Sequence, residues 1–138
     1  MTEPSLALQA AVRARLIASP SVTDLVPAAH IIDGPSRPER FPCILFGTPQ
    51  TVLAGFAGNW RSTWVYLDLH IWALESGTET VRTIGDKVDR ALKAPLDVPE
   101  FQLIPGNFTV ESLRAFRDPS GEHGHGVLTI RALLGEFF

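Results

Sequence analysis

The stretch "STWVYLDLHIWAL", residues 62–74, decides the fold because its aliphatic side chains alternate strictly with aromatic and polar ones. It is rich in β-branched and aromatic residues, and its period of two predicts one long strand from Thr63 to Leu74 with two different faces. The first face is aliphatic: Val65, Leu67, Leu69, Ile71 and Ala73. The second face is aromatic and polar: Trp64, Tyr66, Asp68, His70 and Trp72. A sheet with helices on one side only is expected, with the aliphatic face packed beneath them.

Two helices flank this strand. Residues 5–18 have apolar side chains at steps of four, and Ser5 is expected to act as the N-cap. A second helix is predicted after Thr78, the expected N-cap, with its apolar stripe at steps of three and four. Gly85 lies beside that stripe and is expected to allow close approach to a sheet. Pro95 ends this helix.

Further short strands complete the pattern. They are expected at "HIID" and "CILFG" before the long strand, separated by the loop "PSRPERFP", and at "FQLI", "FTVESLRAFRD" and "HGVLTIRALL" after it. The turn tetrad 118–121, Asp-Pro-Ser-Gly, joins the last two strands in a hairpin. The order α, ββ, β, α, βββ predicts one α+β domain, residues 1–138, with a mostly antiparallel β-sheet and two helices packed on one face.

Composition limits the classes of function. The chain has 138 residues, a formal net charge of −3 and one cysteine, Cys43. A weakly acidic chain has no general electrostatic attraction for nucleic acid, and one cysteine cannot form an internal disulfide. We expect no signal peptide and no membrane helix, and therefore a protein made and used in a cytoplasm.

The stretch "GEHGHG" raises the question of a metal or catalytic site. Glu122, His123 and His125 could serve a small metal-dependent enzyme, but a catalytic zinc ion needs a third protein ligand and a base. The two imidazoles are expected to point to opposite sides of the chain, and no known metal-binding spacing is present. Cys43 is expected to be an inert apolar residue. We therefore expect a structural turn, with no catalytic residue, metal or cofactor.

The chain as a whole resembles the phage tail-completion proteins, the tail-terminator or head–tail joining family of long-tailed phages and phage-like gene-transfer particles. The resemblance follows "LQAAVRARLIASPSVTDLV", "RFPCILFG" and "LDLHIWALESGTETVRTIGDKVDRAL" in order, and it is strongest in "LRAFRDPSGEHGHGVLTIRALL". It implies a structural virion protein, assembled in the bacterial cytoplasm, that forms a ring of usually six subunits at the head-proximal end of the tail tube. The implied partners are the major tail tube protein and a head-side stopper, with DNA passing through the channel. A head–tail connector or neck protein is the alternative.

Residues 48–60 contain two glycines and no sustained period, which predicts a long loop or an irregular hairpin. Leu53, Phe56 and Trp60 are unusual in a loop that meets only water. They are expected to contact a partner, unless the segment is an extra hairpin folded on its own sheet.

A large aromatic face on a strand is typical of an interaction site. We therefore hypothesise that a neighbouring subunit covers part of the second face of the long strand. Asp68 and His70 would supply its polar contacts, and Trp64, Tyr66 and Trp72 its apolar ones. The alternative is that Phe56 and Trp60 fold over this face within the chain.

Overall fold

A computed structural model describes residues 2–34 and 38–138. Residues 35–37, within the expected loop "PSRPERFP", lie outside the described residues. The helices are α1 (Pro4–Ile17), α2 (Pro20–Thr23) and α3 (Glu79–Ala91), with a 3₁₀ turn at Ala28–His30. The strands are β1 (Ile31–Ile32), β2 (Cys43–Phe46), β3 (Gln50–Ala57), β4 (Trp60–Leu74), β5 (Gln102–Arg117) and β6 (His123–Phe137). No helix in these ranges is long and apolar enough to cross a membrane.

The strands form one sheet in the order β1-β2-β4-β6-β5, and β3 pairs with the first half of β4 beside β2. Among the strands of the described residues only β1 and β2 are parallel, so the expected α+β class with a mostly antiparallel sheet is confirmed. The expected strand 63–74 is the central strand β4. It pairs with β6 along its whole length, from Trp60 opposite Phe137 to Leu74 opposite His123.

Helices α1 and α3 cover one face of the sheet, which is called here the inner face. The five aliphatic side chains of β4 are buried there, as expected, with inward residues of β6 such as Leu128 and Ile130. A Cβ on Gly85 of α3 would lie 2.5 Å from Leu113 Cδ2 on β5. The expected close approach of this glycine to the sheet is therefore confirmed.

Thr78 occupies the expected N-cap position of α3, whereas the N-cap of α1 is not the expected Ser5. Glu3, not Ser5, caps α1, and its carboxylate accepts the backbone N–H of Ser5 and of Leu6. Thr78 makes no side-chain cap hydrogen bond. Instead the Glu75 carboxylate accepts the N–H groups of the first turn of α3 at 3.0 and 3.1 Å. A carboxylate satisfies these free donors and also opposes the positive end of the helix dipole, which a hydroxyl does not.

Of the two alternatives expected for residues 48–60, a long loop or an irregular hairpin, the structure shows the hairpin. β3 and β4 are joined by a two-residue turn at Gly58-Asn59, closed by Ala57 opposite Trp60. Gly58 has φ +63°, which favours glycine at the first central position of such a turn.

The expected strands "FQLI" and "FTVESLRAFRD" are one strand, β5, and the separation was wrong. The pairing with β6 shifts register between Leu103 and Phe108, where Pro105 and Gly106 bulge outward, and then resumes. β5 lies at the edge of the sheet, and an edge strand tolerates proline because its outward N–H has no strand partner.

Candidate interaction surface

The face of the sheet opposite α1 and α3, called here the outer face, is formed by β2, β4, β6 and β5. From β4 it takes Trp60, Ser62, Trp64, Tyr66, Asp68, His70 and Trp72. All seven are half-buried, whereas the inner-face residues of β4 between them are buried, except the half-buried Arg61. The register places His125, Thr129 and Arg131 of β6 on the same face.

An aromatic and histidine cluster lies at one end of the outer face. The rings of Trp72 and His125 stack with centroids 3.8 Å apart, and Phe116 of β5 contacts His125 edge-on at 4.7 Å. His70 Nδ1 and His125 Nε2 are 2.9 Å apart, so that one ring donates a hydrogen bond to the other. Trp72 Nε1 is buried and has no hydrogen-bond partner within residues 2–34 and 38–138. The Trp72 indole is therefore largely enclosed by its own subunit.

This cluster depresses the pKa of His125 to about 4. Burial among the aromatic rings is the main cause, because it disfavours the charged imidazolium. The electrostatic effects of His70 and Arg114 on His125 also lower its pKa, and the Asp118 carboxylate opposes them. His125 is therefore neutral at pH 7.

Polar contacts connect β4, β6 and β5 in the middle of the outer face. Thr129 Oγ1 donates to Asp68 Oδ1 at 2.7 Å, across the β4–β6 pair. The guanidinium of Arg131 lies over the Trp64 ring at 4.7 Å, and its Nε is 3.2 Å from a carboxylate oxygen of Glu111 on β5. Such pairs orient side chains on a partly solvated sheet and contribute little stability individually.

The β3–β4 hairpin lies at the opposite end of the sheet. Every residue of β3 is exposed, and residues 41–60 contain no charged side chain. The ring of Trp60 covers Gly135, where an added Cβ would lie 1.9 Å from the indole, and it contacts Phe137 edge-on at 4.6 Å. The C-terminal Phe137 and Phe138 extend this apolar surface.

The structure divides the eight expected interface residues between two surfaces. Leu53 and Phe56 lie on the exposed strand β3, and Trp60 lies next to the turn of the hairpin. The other five share the outer face with it: Trp64, Tyr66, Asp68, His70 and Trp72. Phe56 and Trp60 lie at the opposite end of β4 from Trp72 and do not cover its side chain. The alternative that these two residues fold over Trp72 within the chain is therefore wrong.

The expectation that His123 and His125 point to opposite sides is wrong. Both lie on the outer face of β6, since side chains two residues apart in a strand share a face. Even so, the described part of the chain contains no group of three or more residues that could hold a metal ion. His123 contacts Phe41 and Ser120, and Glu122 is exposed in the turn. Burial raises the pKa of the Cys43 thiol to about 11, so this cysteine is a poor nucleophile.

Sequence reasoning missed two residues of these surfaces, Phe116 and Phe137. A usable signal existed for the first. The turn at 118–121 fixes which residues of β5 and β6 are opposite each other, and it brings Phe116 opposite His125. Phe137 stands outside the strand expected for "HGVLTIRALL", so no pairing argument included it.

Comparisons with known proteins agree with the fold. Residues 10–135 match a family described as "Tail completion protein gp17". A chain of a solved structure described as "Virion of native gene transfer agent (GTA) particle" superposes with a TM-score of 0.80 and 21% identity. The match covers 93% of this chain and 94% of that chain, and at this identity it shows the shared fold. No curated protein matches the chain.

Proposed function

This chain belongs to the gp17 family of tail completion proteins, and from that premise we propose that it forms a ring at the head-proximal end of the tail tube. Membership makes it a structural protein of the virion tail. The ring would stop tube growth and join the tail to the head. Its partners would be the major tail tube protein on one side and a stopper protein on the other.

The observation that carries this proposal is the exposed, uncharged hairpin. An eight-residue strand with every side chain exposed and no charge is unfavourable in an isolated subunit, since it leaves an apolar edge available for aggregation. Depletion of charge and enrichment of aromatic residues are typical of interface cores. The hairpin is therefore a surface that assembly would cover.

The outer face supports the same proposal. Trp64 and Tyr66 are large aromatic side chains on a face that no helix covers, and aromatic side chains are enriched among residues that dominate binding energy. Asp68, the next residue of β4 on this face, already accepts a hydrogen bond from Thr129 within the subunit. A neighbouring subunit could therefore cover this pair without leaving the Asp68 carboxylate unpaired.

The charge of the chain suits a channel through which DNA passes. Six copies at −3 each carry −18. Retention of duplex DNA depends on cationic side chains that displace counterions from the phosphates, and an acidic ring offers no such excess.

A head–tail connector or stopper is the second candidate, because a shared family and fold do not separate the two roles. The discriminating experiment removes the gene from a phage or particle that encodes this protein and measures tail lengths by electron microscopy. If the chain terminates the tube, the deletion gives tails of unequal and excessive length without heads, and a plasmid copy restores one length. Tails of normal uniform length that fail to join heads would instead assign the connector role.

A further inference from the structure

Two unpartnered apolar surfaces lie at opposite edges of the sheet. The first is the inner side of the β3 edge, where Leu53 and Phe56 are 55% and 60% exposed. Both pair with inward-facing positions of β4, Thr63 and Arg61, so they lie on the side of the sheet that carries the helices. Phe138 adds to this surface, since its ring centroid is 6.0 Å from that of Phe56.

The second surface is a groove of about 550 Å³ at the β5 edge. It lies between residues 92–96, which follow α3, and residues 103–110 of β5, where the strand bulges outward. Leu96, Leu103 and Phe108 reach it from the hydrophobic core, against which they are partly buried. A concave apolar site of this size can accept several large side chains.

The groove is rigid on its helical side. The guanidinium of Arg15 donates to the carbonyl oxygens of Ala91, Ala94 and Pro95 at 2.7–3.0 Å, which fixes the chain as it leaves α3. Lys93 is the charged residue of the lining, and its ammonium lies 3.2 Å from the Asp89 carboxylate one turn earlier. The groove therefore exists before any partner binds, and its charge is already paired.

The two surfaces are matched in position. Leu53 pairs with Thr63, Thr63 pairs with Leu134, and Leu134 pairs with Leu103. Leu53 and Leu103 are thus the two ends of one row across the sheet, and both lie on its inner side. They cannot meet within a chain, because three strand spacings of about 4.8 Å separate them.

From this arrangement we infer that the groove at the β5 edge receives Leu53 and Phe56 of a second copy of this chain. The surfaces agree in polarity, since the hairpin is uncharged and the groove carries one paired charge. They are different surfaces at opposite edges, so the contact is head-to-tail, and repeated head-to-tail contacts close into a ring when the rotation allows it. The inference rests on the proposed ring and names the side chains that hold it together.

Site-specific photo-cross-linking in assembled particles tests this contact. Phe56 is replaced by p-benzoyl-phenylalanine, an aromatic residue that the 60% exposed site accommodates, and particles are irradiated and digested for mass spectrometry. The expected product has twice the subunit mass and joins position 56 to residues 92–96 or 103–110. The same residue placed at the exposed Ser120, at the other end of the sheet, is the control and should give no adduct in the groove.

The outcomes separate this inference from the proposed ring. A double-mass product joined elsewhere on the second copy would leave the ring intact and overturn the assignment of the groove. Products containing only another virion protein, or no product in assembled particles, would also overturn it. A single copy of the chain per particle would remove both the ring and the inference.

A pair of variants provides an independent readout. Leu53→Asp places a charge against the apolar groove and should reduce incorporation into particles at least tenfold. Ser76→Asp places the same charge at an exposed position in the loop before α3, outside both surfaces, and should incorporate at near the wild-type level. Equal incorporation of the two variants would contradict the inference.

Discussion

The Glu75 carboxylate fills the space beside Gly124, so that a Cβ on this glycine would lie 2.7 Å from Glu75 Oε2 and 2.8 Å from the carbonyl oxygen of Gly77. The same carboxylate caps α3. The first glycine of "HGHG" is therefore required because the cap of α3 lies directly against β6. The stretch that suggested a metal site is instead where the last hairpin meets the start of this helix.

Gly124→Ala should destabilise the protein by about 1–3 kcal/mol, as overpacking of a close contact does. Gly126→Ala is the matched control two residues further along the same face, where the nearest atoms to an added Cβ are 3.6 Å away. It should be neutral or slightly stabilising, since alanine costs less entropy than glycine in a strand. Urea denaturation of the two variants checks this, and equal stability would contradict the packing account.

His125 predicts a loss of stability in mild acid. The pKa of His125 is about 4 in the folded chain, below the ordinary value of 6.5. As the pH falls, His125 is therefore protonated in the unfolded chain before it is protonated in the folded chain. The contribution of neutral His125 to stability is fully present above pH 6.5, and the free energy of unfolding should fall as the pH decreases from 6.5 to 4. His125→Phe keeps the stacking surface and removes the titration, so denaturation curves should show a shallower decline. An identical decline in both proteins would contradict the neutral, enclosed imidazole.

Tyr66 and Trp72 should separate assembly from folding. Trp72 is stacked on His125 and enclosed by its own subunit, so Trp72→Ala should lower the free energy of unfolding by about 1–3 kcal/mol. Tyr66 makes no side-chain hydrogen bond or ring contact among the described residues, so Tyr66→Ala should affect particle assembly more than folding. Thermal melting and particle yield are measured together. The interface proposal fails if Tyr66→Ala melts as low as Trp72→Ala and assembles normally.

The central strand could be predicted from the sequence because its alternation and its β-branched and aromatic composition are both local features of the chain. Alternation shows which side chains share a face, and the aliphatic face then identifies the side of the strand that is buried beneath the helices. The continuous strand β5 was missed because Pro105 and Gly106 normally interrupt a strand, and only the position at the sheet edge permits them. Glu3 was missed because glutamate is not among the residue types that usually occupy an N-cap. Glu75 was missed because it precedes the N-cap Thr78 by three residues.

The residues of the candidate surfaces could be predicted from the sequence, but their positions relative to one another across the sheet could not. Residues such as Leu53 and Trp64 are conspicuous wherever they lie. That Leu53 and Leu103 end the same row depends on the register of three strand pairs, and register follows from turns and bulges that single residues do not encode.

The isolated protein should show no measurable affinity for duplex DNA at physiological salt. The net charge of −3 opposes it, and non-specific binding requires a cationic surface. An electrophoretic mobility shift in buffers of increasing salt checks this. Tight binding that weakens steeply with salt would contradict the description of the ring as a passive channel.

The proposal that this chain forms the ring that ends the tail tube is tested most directly by cryo-electron microscopy of the assembled particle, with a small tag fused ahead of the exposed Thr2. We expect one ring of tagged subunits, six by family resemblance, at the head-proximal end of the tube, with the β3 hairpin of each subunit against the β5 edge of the next. Tag density at the distal tip, along the tube or within the head, would contradict the claim.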